Sequence, residues 1–220
     1  MQEYLNTIKQ CQRNFDLNKP VSNDHIQQLI DVAHNAPKKN SMRFFSLVVL
    51  QSRDKIHEFA KVTLPEVLAK SGAPDAVVQA QVYAPLVMCW VHDDYLHKEY
   101  FAQEPHKAAG HDPDMKYLHV GISSTCVAMK AAELGYKTGF CACYGSSKEL
   151  LKKYGIDGEI VLFLGIGHPQ ENINYYEKKT PSWPDETKFE EGDYVSQDFI
   201  DSETRNKNNF LCLDPITKIL

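Results

Sequence analysis

The 220-residue chain has no uninterrupted apolar run near the roughly 18 residues that a membrane-spanning helix requires, so none is expected. It also lacks an excess of cations. The 24 Lys and Arg stand against 29 Asp and Glu, a net charge of −5, which gives a nucleic-acid partner no electrostatic support. Its first residues, Met1-Gln2-Glu3-Tyr4-Leu5-Asn6, are without the basic-then-apolar pattern of a signal peptide. The six cysteines (Cys11, Cys89, Cys126, Cys141, Cys143 and Cys212) include no CxxC pair, so a zinc site is not expected. Scattered through apparent strands and helices, they read as buried free thiols of a reducing compartment, and the cytoplasm is the expected location. No internal repeat or low-complexity tract stands out. His92, His97, His106 and His111 fall close together, but without HExxH or facial-triad spacing, and no metal is expected. No nucleophile–base pair is evident either.

A hydrophobic content of 43% and a charged content of 24% are those of an ordinary globular protein, and the length fits one sizeable domain. Ile26, Leu29, Ile30 and Ala33 recur at i, i+3, i+4 and i+7, which predicts an amphipathic helix capped by Ser22 or Asn23 and ending near Asn35. An apolar strand is expected over about 44–51, and a helix around Lys55, Ile56, Phe59, Ala60 and Val62. A second helix is expected after Ser71-Gly72-Ala73-Pro74, running to Val82. Ala84-Pro85-Leu86-Val87-Met88-Cys89-Trp90-Val91 reads as a buried strand, its proline placed where a missing donor does least harm. Asp112-Pro113 predicts the start of a long helix with Val120, Ser124, Val127, Ala128, Ala131 and Ala132 on one face and Gly135 as its C-cap. Its many small residues would let another helix or subunit approach. Tyr136–Tyr144 continues as a strand or extended turn. Ser146-Ser147-Lys148-Glu149 reads as a capping box for the next helix. Glu159–Pro169 is the strongest strand signal in the chain.

Three stretches carry chemistry. Ala36-Pro37-Lys38-Lys39-Asn40-Ser41-Met42-Arg43 sets three cations and two small polar side chains on one tight loop, a seat for an anion. The plain alternative is a solvated surface loop. Residues 92–114 form a long polar connection with Tyr95, Tyr100 and Phe101, a pocket-shaping loop or a surface excursion. Beyond Pro169 the chain turns polar and irregular, yet it keeps Trp183, Phe189, Tyr194, Phe199, Phe210, Leu211 and Leu213. An arm laid over a partner subunit fits that composition better than a solvated tail.

The order of these pieces resembles the nitroreductase family of FMN-dependent oxidoreductases over roughly residues 5–180. Lys9-Gln10-Cys11-Gln12-Arg13-Asn14-Phe15 occupies the place of the family's basic-Ser-x-basic opening. Ala36–Phe44 is a divergent version of "A-P-S-S-x-N-x-Q-P-W". Ala84–Met88 matches the "A-P-h-h-h" strand, Gly121 through Tyr136 is similar to the long Gly- and Ala-marked helix, and Leu164–Pro169 looks like the "h-G-h-G-x-P" strand end. There are departures: Gln10 and Cys11 stand where a basic or polar residue and a serine are usual, Met42-Arg43 replaces Gln-Pro, and Phe44 replaces Trp. Lys178-Lys179 is the candidate for the late basic pair.

The resemblance implies an α+β fold, a three-layer sandwich whose central mixed, mostly antiparallel sheet is flanked by helices, in an intertwined homodimer. Residues 1–170 would form the single FMN-binding domain, and 171–220 an extended C-terminal arm packing on the partner. The implied activity moves a hydride from NADH or NADPH through FMN to a small electrophile, a nitroaromatic, a quinone or similar. The other outcomes are a specialised member acting on flavin or a halogenated aromatic, and a binding protein that has lost its FMN site. Lys9, Arg13 and Lys179 are the phosphate candidates from one subunit, with Gln10, Cys11 and Lys178 beside them in their motifs. Pro37, Lys38, Lys39 and Asn40 would approach from the partner subunit. Gln79 and Gln81 precede the strand where the family places contacts to the pyrimidine edge, and Thr138, Gly139 and Phe140 would line the flavin. No acid–base residue is needed, because the flavin carries the chemistry.

Overall fold

The computed structural model describes residues 2–9, 11–39, 45–63, 80–93, 102, 114–142, 147–171 and 217–219. Its elements are α1 (Gln2–Ile8), α2 (Asn23–Asn35), β1 (Ser46–Leu50), α3 (Arg53–Ala60), β2 (Leu86–Asp93), α4 (Met115–Glu133), β3 (Lys137–Cys141), α5 (Lys148–Lys153), β4 (Gly158–Gly167) and β5 (Thr217–Ile219). Short 3-10 turns cover Lys61–Thr63 and Ala80–Val82. The five strands form one sheet in the order β3-β4-β2-β1-β5, antiparallel throughout except for the parallel β1–β5 edge. The mixed, mostly antiparallel sheet implied by the resemblance is the one found.

Both faces of the sheet are covered, which explains why its strands read as continuous apolar runs rather than alternating ones. Leu47, Val49, Leu86, Met88, Trp90, Leu164 and Ile166 point into one core with Ile26, Leu29, Ile30 and Ala33 of α2 and Val120, Val127 and Ala131 of α4. Val48, Leu50, Val87, Cys89, Val91 and Phe163 point into the other with Ile56, Phe59 and Ala60 of α3 and Leu151 of α5. A bulge keeps this alternation in step. Trp90 pairs with Leu162 but Val91 pairs with Ile160, so Val161 is an extra residue and turns into the first core while Ile160 serves the second.

Helix ends follow local chemistry with two corrections. Ser22 caps α2 by accepting the His25 N–H at 3.3 Å, as expected. Gly135, at φ 88°, ends α4, and Tyr136 N–H returns to the Ala131 carbonyl at 2.8 Å. However, α4 starts at Met115, with Asp114 in the cap position; Asp112 and Pro113 lie outside the described residues. Ser147 stands at the N-cap of α5, yet its hydroxyl takes no helix amide. It accepts the buried Ile160 N–H of β4 at 2.8 Å instead, because leaving that strand donor unpaired would cost more than an exposed helix end. On the outer side of this layer, Glu58 of α3 accepts from Lys153 and Tyr154, which holds its carboxyl below the usual range.

The expected helix before Val82, the 94–113 connection (Ala102 apart) and the segment 172–216 lie outside the described residues.

Candidate functional site

The segment that leaves α1 is laid directly on the β3 edge of the sheet. Gln12 donates its backbone N–H to the Thr138 carbonyl at 2.9 Å, and the Cys11 thiol donates to the Phe140 carbonyl at 3.4 Å. Farther on, the N–H of Asp16 meets the His168 carbonyl at 2.8 Å, Gln170 donates to Asn14, and Phe15 bridges Pro169. The Gln12 side chain is buried and donates to the Asn14 carbonyl at 2.6 Å, which stiffens the turn between the two contacts. This track carries Lys9, which is exposed, and Arg13, which is half-buried, at its two ends.

A second segment, Ala80–Pro85, lies over the same part of the sheet. It can do so because Gly139 and Gly165 pair across β3 and β4 on one face. A Cβ on Gly139 would run into the Gln12 carbonyl and stand 2.7 Å from Gln81 Cβ; on Gly165 it would run into the Gln81 carbonyl and stand 3.1 Å from Ala84 Cβ. The glycines are thus required by packing, and the close approach puts Gln81 beside Gly139. Cys11 and Arg13 thus lie along the β3 edge, with Gln81 against Gly139 on one face of the sheet and the side chains of Thr138 and Phe140 on the other.

Thr138 has a further feature. The residue is buried, and its hydroxyl has no hydrogen-bond partner among the described residues. A buried hydroxyl in that state costs stability unless something else supplies a partner. The Cys11 thiol, in contrast, is committed to Phe140, and burial raises its pKa, so it is a poor nucleophile.

Pro37, Lys38 and Lys39 form a separate group at the exit of α2, against α4. Lys39 donates its backbone N–H to His119 Nε2 at 3.4 Å. His119 is 3% exposed, and burial pushes its pKa down, helped by the cations Lys38 and Lys39 and opposed by the Pro37 carbonyl. One turn along the same face, Ser123 donates to the Ala33 carbonyl at 2.9 Å and accepts the Trp90 indole N–H at 3.0 Å. The periodicity of α4 marks its apolar face but not these two polar residues on it, and only their place among small neighbours could have drawn attention to them. Gln10, Asn40, Gln79, Lys178 and Lys179 lie outside the described residues.

The sequence profile of the nitroreductase family matches residues 9–168. No curated protein matches the chain. Solved structures share the fold at low identity. B. megaterium NfrA1 is 16% identical with a TM-score of 0.61, over 92% of this chain and 78% of that one. A Staphylococcus epidermidis protein provisionally named an NAD(P)H:FMN oxidoreductase is 15% identical with a TM-score of 0.59, over 79% and 88%. A BluB-like flavoprotein of Clostridium difficile is 20% identical with a TM-score of 0.56, over 81% and 94%.

Proposed function

Because this chain belongs to the nitroreductase family, we propose that it is an FMN-dependent oxidoreductase that uses NADH or NADPH to reduce a small electrophile such as a nitroaromatic or a quinone. The observation that carries this reading is the track from Lys9 to Arg13. It carries two cations on a segment bonded to the β3 edge at Thr138, whose buried hydroxyl has no partner among the described residues.

That donor set fits FMN. The phosphate needs cationic donors, and the guanidinium of Arg13 offers two parallel N–H bonds where an ammonium offers a point charge. Lys9, with Gln10, Lys178 and Lys179, would add to it. Thr138 would give its hydroxyl hydrogen bond to the ligand, with Phe140, on the same face of β3, at the ring; Gln81 supports the strand from the other face. Cys11 and Gly139 act as scaffold, one pinning the track and the other admitting it. Bound FMN would supply the hydride chemistry, which explains why the chain needs no acid–base pair of its own.

The purified protein is expected to be yellow, with a flavin band that bleaches when NADH or NADPH is added without oxygen. A colourless protein that takes up no FMN would overturn the reading and favour a binding role for the fold. Arg13→Ala is expected to weaken FMN retention about ten- to a hundredfold, the loss of a charge-assisted bond worth roughly 1.5–3 kcal/mol. Full occupancy in that variant would remove Arg13 from the site.

Homodimerisation belongs to the same proposal. On α4, Tyr117 and Leu118 are 54% and 53% exposed, and a Cβ on Gly121 would meet nothing within 4 Å. Lys38, Lys39 and Asn40 would then reach the partner's cofactor. In a monomer Gly121→Arg is harmless or helpful, since glycine is a weak helix former by about 1 kcal/mol. In a dimer seated on this face it breaks the assembly. Sedimentation should show a dimer turning to a folded monomer; an unchanged dimer would put the interface elsewhere.

A further inference from the structure

Of α3 and α5, the helices over the second core, α5 has less to hold it. It is six residues long, well short of the roughly 12–15 that a helix needs to stand alone in water. Leu151 is its one buried residue, and the hydroxyl at its N-cap serves Ile160 of β4 instead of a helix amide. Its stability therefore has to come from outside its own turns. A support stands at its other end. Lys153 Nζ donates to Oε1 of Glu58 on α3 at 2.5 Å, and the Tyr154 hydroxyl donates to Oε2. Lys55, one turn before Glu58, donates to Tyr154 Oη at 2.8 Å and lies 4.7 Å from the centre of that ring. The ring itself packs on Phe59, with 5.6 Å between centroids.

We propose that Glu58 clasps the end of α5 to α3 while its carboxylate is charged, and that protonation of this one group loosens α5 while the sheet stays closed. A neutral carboxyl still accepts from Tyr154. It gives up its attraction to two ammonium groups, however, and with it the charge that strengthens both bonds. The groups that bear on the carboxyl are Lys153 and Tyr154 from the end of α5 and Lys55 on its own helix. All three favour the charged form, and only burial opposes them. Lys152, the other cation at the end of α5, is taken by Glu149 at 2.9 Å.

The direction of the pH effect follows from that balance. The folded carboxyl holds its proton less tightly than the ordinary value of 4.5, so the opened state takes up more protons in acid. The clasp is complete well above 4.5 and is lost as pH falls through the lower folded value. It is independent of the function proposed above.

Hydrogen–deuterium exchange of the full chain tests it, read at the Tyr154, Gly155 and Ile156 amides, which close the end of α5 on Leu151 and Lys152. The comparison is with Glu58→Gln, the neutral isostere of the protonated side chain. At neutral pH, after correction for intrinsic exchange, these amides should exchange about three- to tenfold faster in the glutamine variant, the scale of one charged contact near a surface. As pH falls below the carboxylate range, to about 2.5, the wild type should converge on the variant. Amides of β2 and β4 should keep their protection in both. No difference at neutral pH overturns the clasp. So does a difference that persists undiminished in acid, because charge is then not what holds α5. Loss of protection in β2 and β4 in step with α5 overturns it as well, since the opening is then that of the whole sheet. Tyr154→Phe gives the second readout, keeping the ring on Phe59 and removing the hydroxyl. The Glu58 carboxyl, followed by its carbon-13 shift, should titrate closer to 4.5 in that variant than in the wild type. An unmoved titration overturns the clasp as drawn and leaves Lys153 alone on Glu58.

Discussion

Gly165→Ala is expected to destabilise the protein by about 3 kcal/mol or more, at the upper end of overpacking substitutions. In an ordinary strand the same change stabilises by roughly 0.5–1 kcal/mol, because glycine has more conformational freedom to lose. Here the sign reverses. The new Cβ meets the backbone carbonyl of Gln81, and a backbone cannot rotate aside as a side-chain tip can. Moving that carbonyl shifts Ala80–Pro85, the segment that leads into β2, and loosens Gln81 against Gly139. The expected result is a lower urea midpoint and, under the proposed function, a flavin site spoiled before the fold is lost. A midpoint at or above the wild-type value would mean that the segment does not rest on the sheet.

The second large effect is at Ser123. Ser123→Ala leaves the Trp90 indole N–H and the Ala33 carbonyl without their partner in a region with no access to water. At roughly 1–3 kcal/mol for each orphaned group, the expected loss is about 2–6 kcal/mol, against a helix-propensity gain of a few tenths. Pairing the substitution with Trp90→Phe separates the terms. If the relay is real, the double variant loses less than the sum of the two single ones, because the indole donor is no longer there to be stranded. Additive losses would show that Trp90 and Ser123 act independently.

How much of this could be read from the chain depended on which force fixed each element. Where apolar burial decides, the pattern was sufficient. Ile26, Leu29, Ile30 and Ala33 are all in the core, and β2 and β4 overlap the runs expected for them, β2 reaching two residues farther to Asp93 and β4 starting one earlier at Gly158. Where a polar group had two possible partners, local rules misled. The hydroxyl of Ser147 serves Ile160 rather than its own helix, a choice set by a strand that arrives later in the sequence. The candidate site was legible as motifs but not as geometry. Gly139 was expected for its backbone beside a ligand, yet it is needed because Gln12 and Gln81 pass over it. His119 was invisible: a histidine between Leu118 and Val120 has no signature until the α2 exit folds back on it.

The β1–β5 pairing has a consequence for the order of events. Among the described residues, three pairs join Leu47–Val49 to Thr217–Ile219, in parallel register and across most of the length of the chain. Closing so long a loop is entropically costly before any bond is made, and three parallel pairs return little. The antiparallel body of β1, β2, β4 and β3 therefore assembles first, and this seam opens first when the protein fluctuates. Each opening bares the outer edge of β1, a row of unpaired backbone groups on an apolar strand. At high concentration, that edge is where aggregation begins.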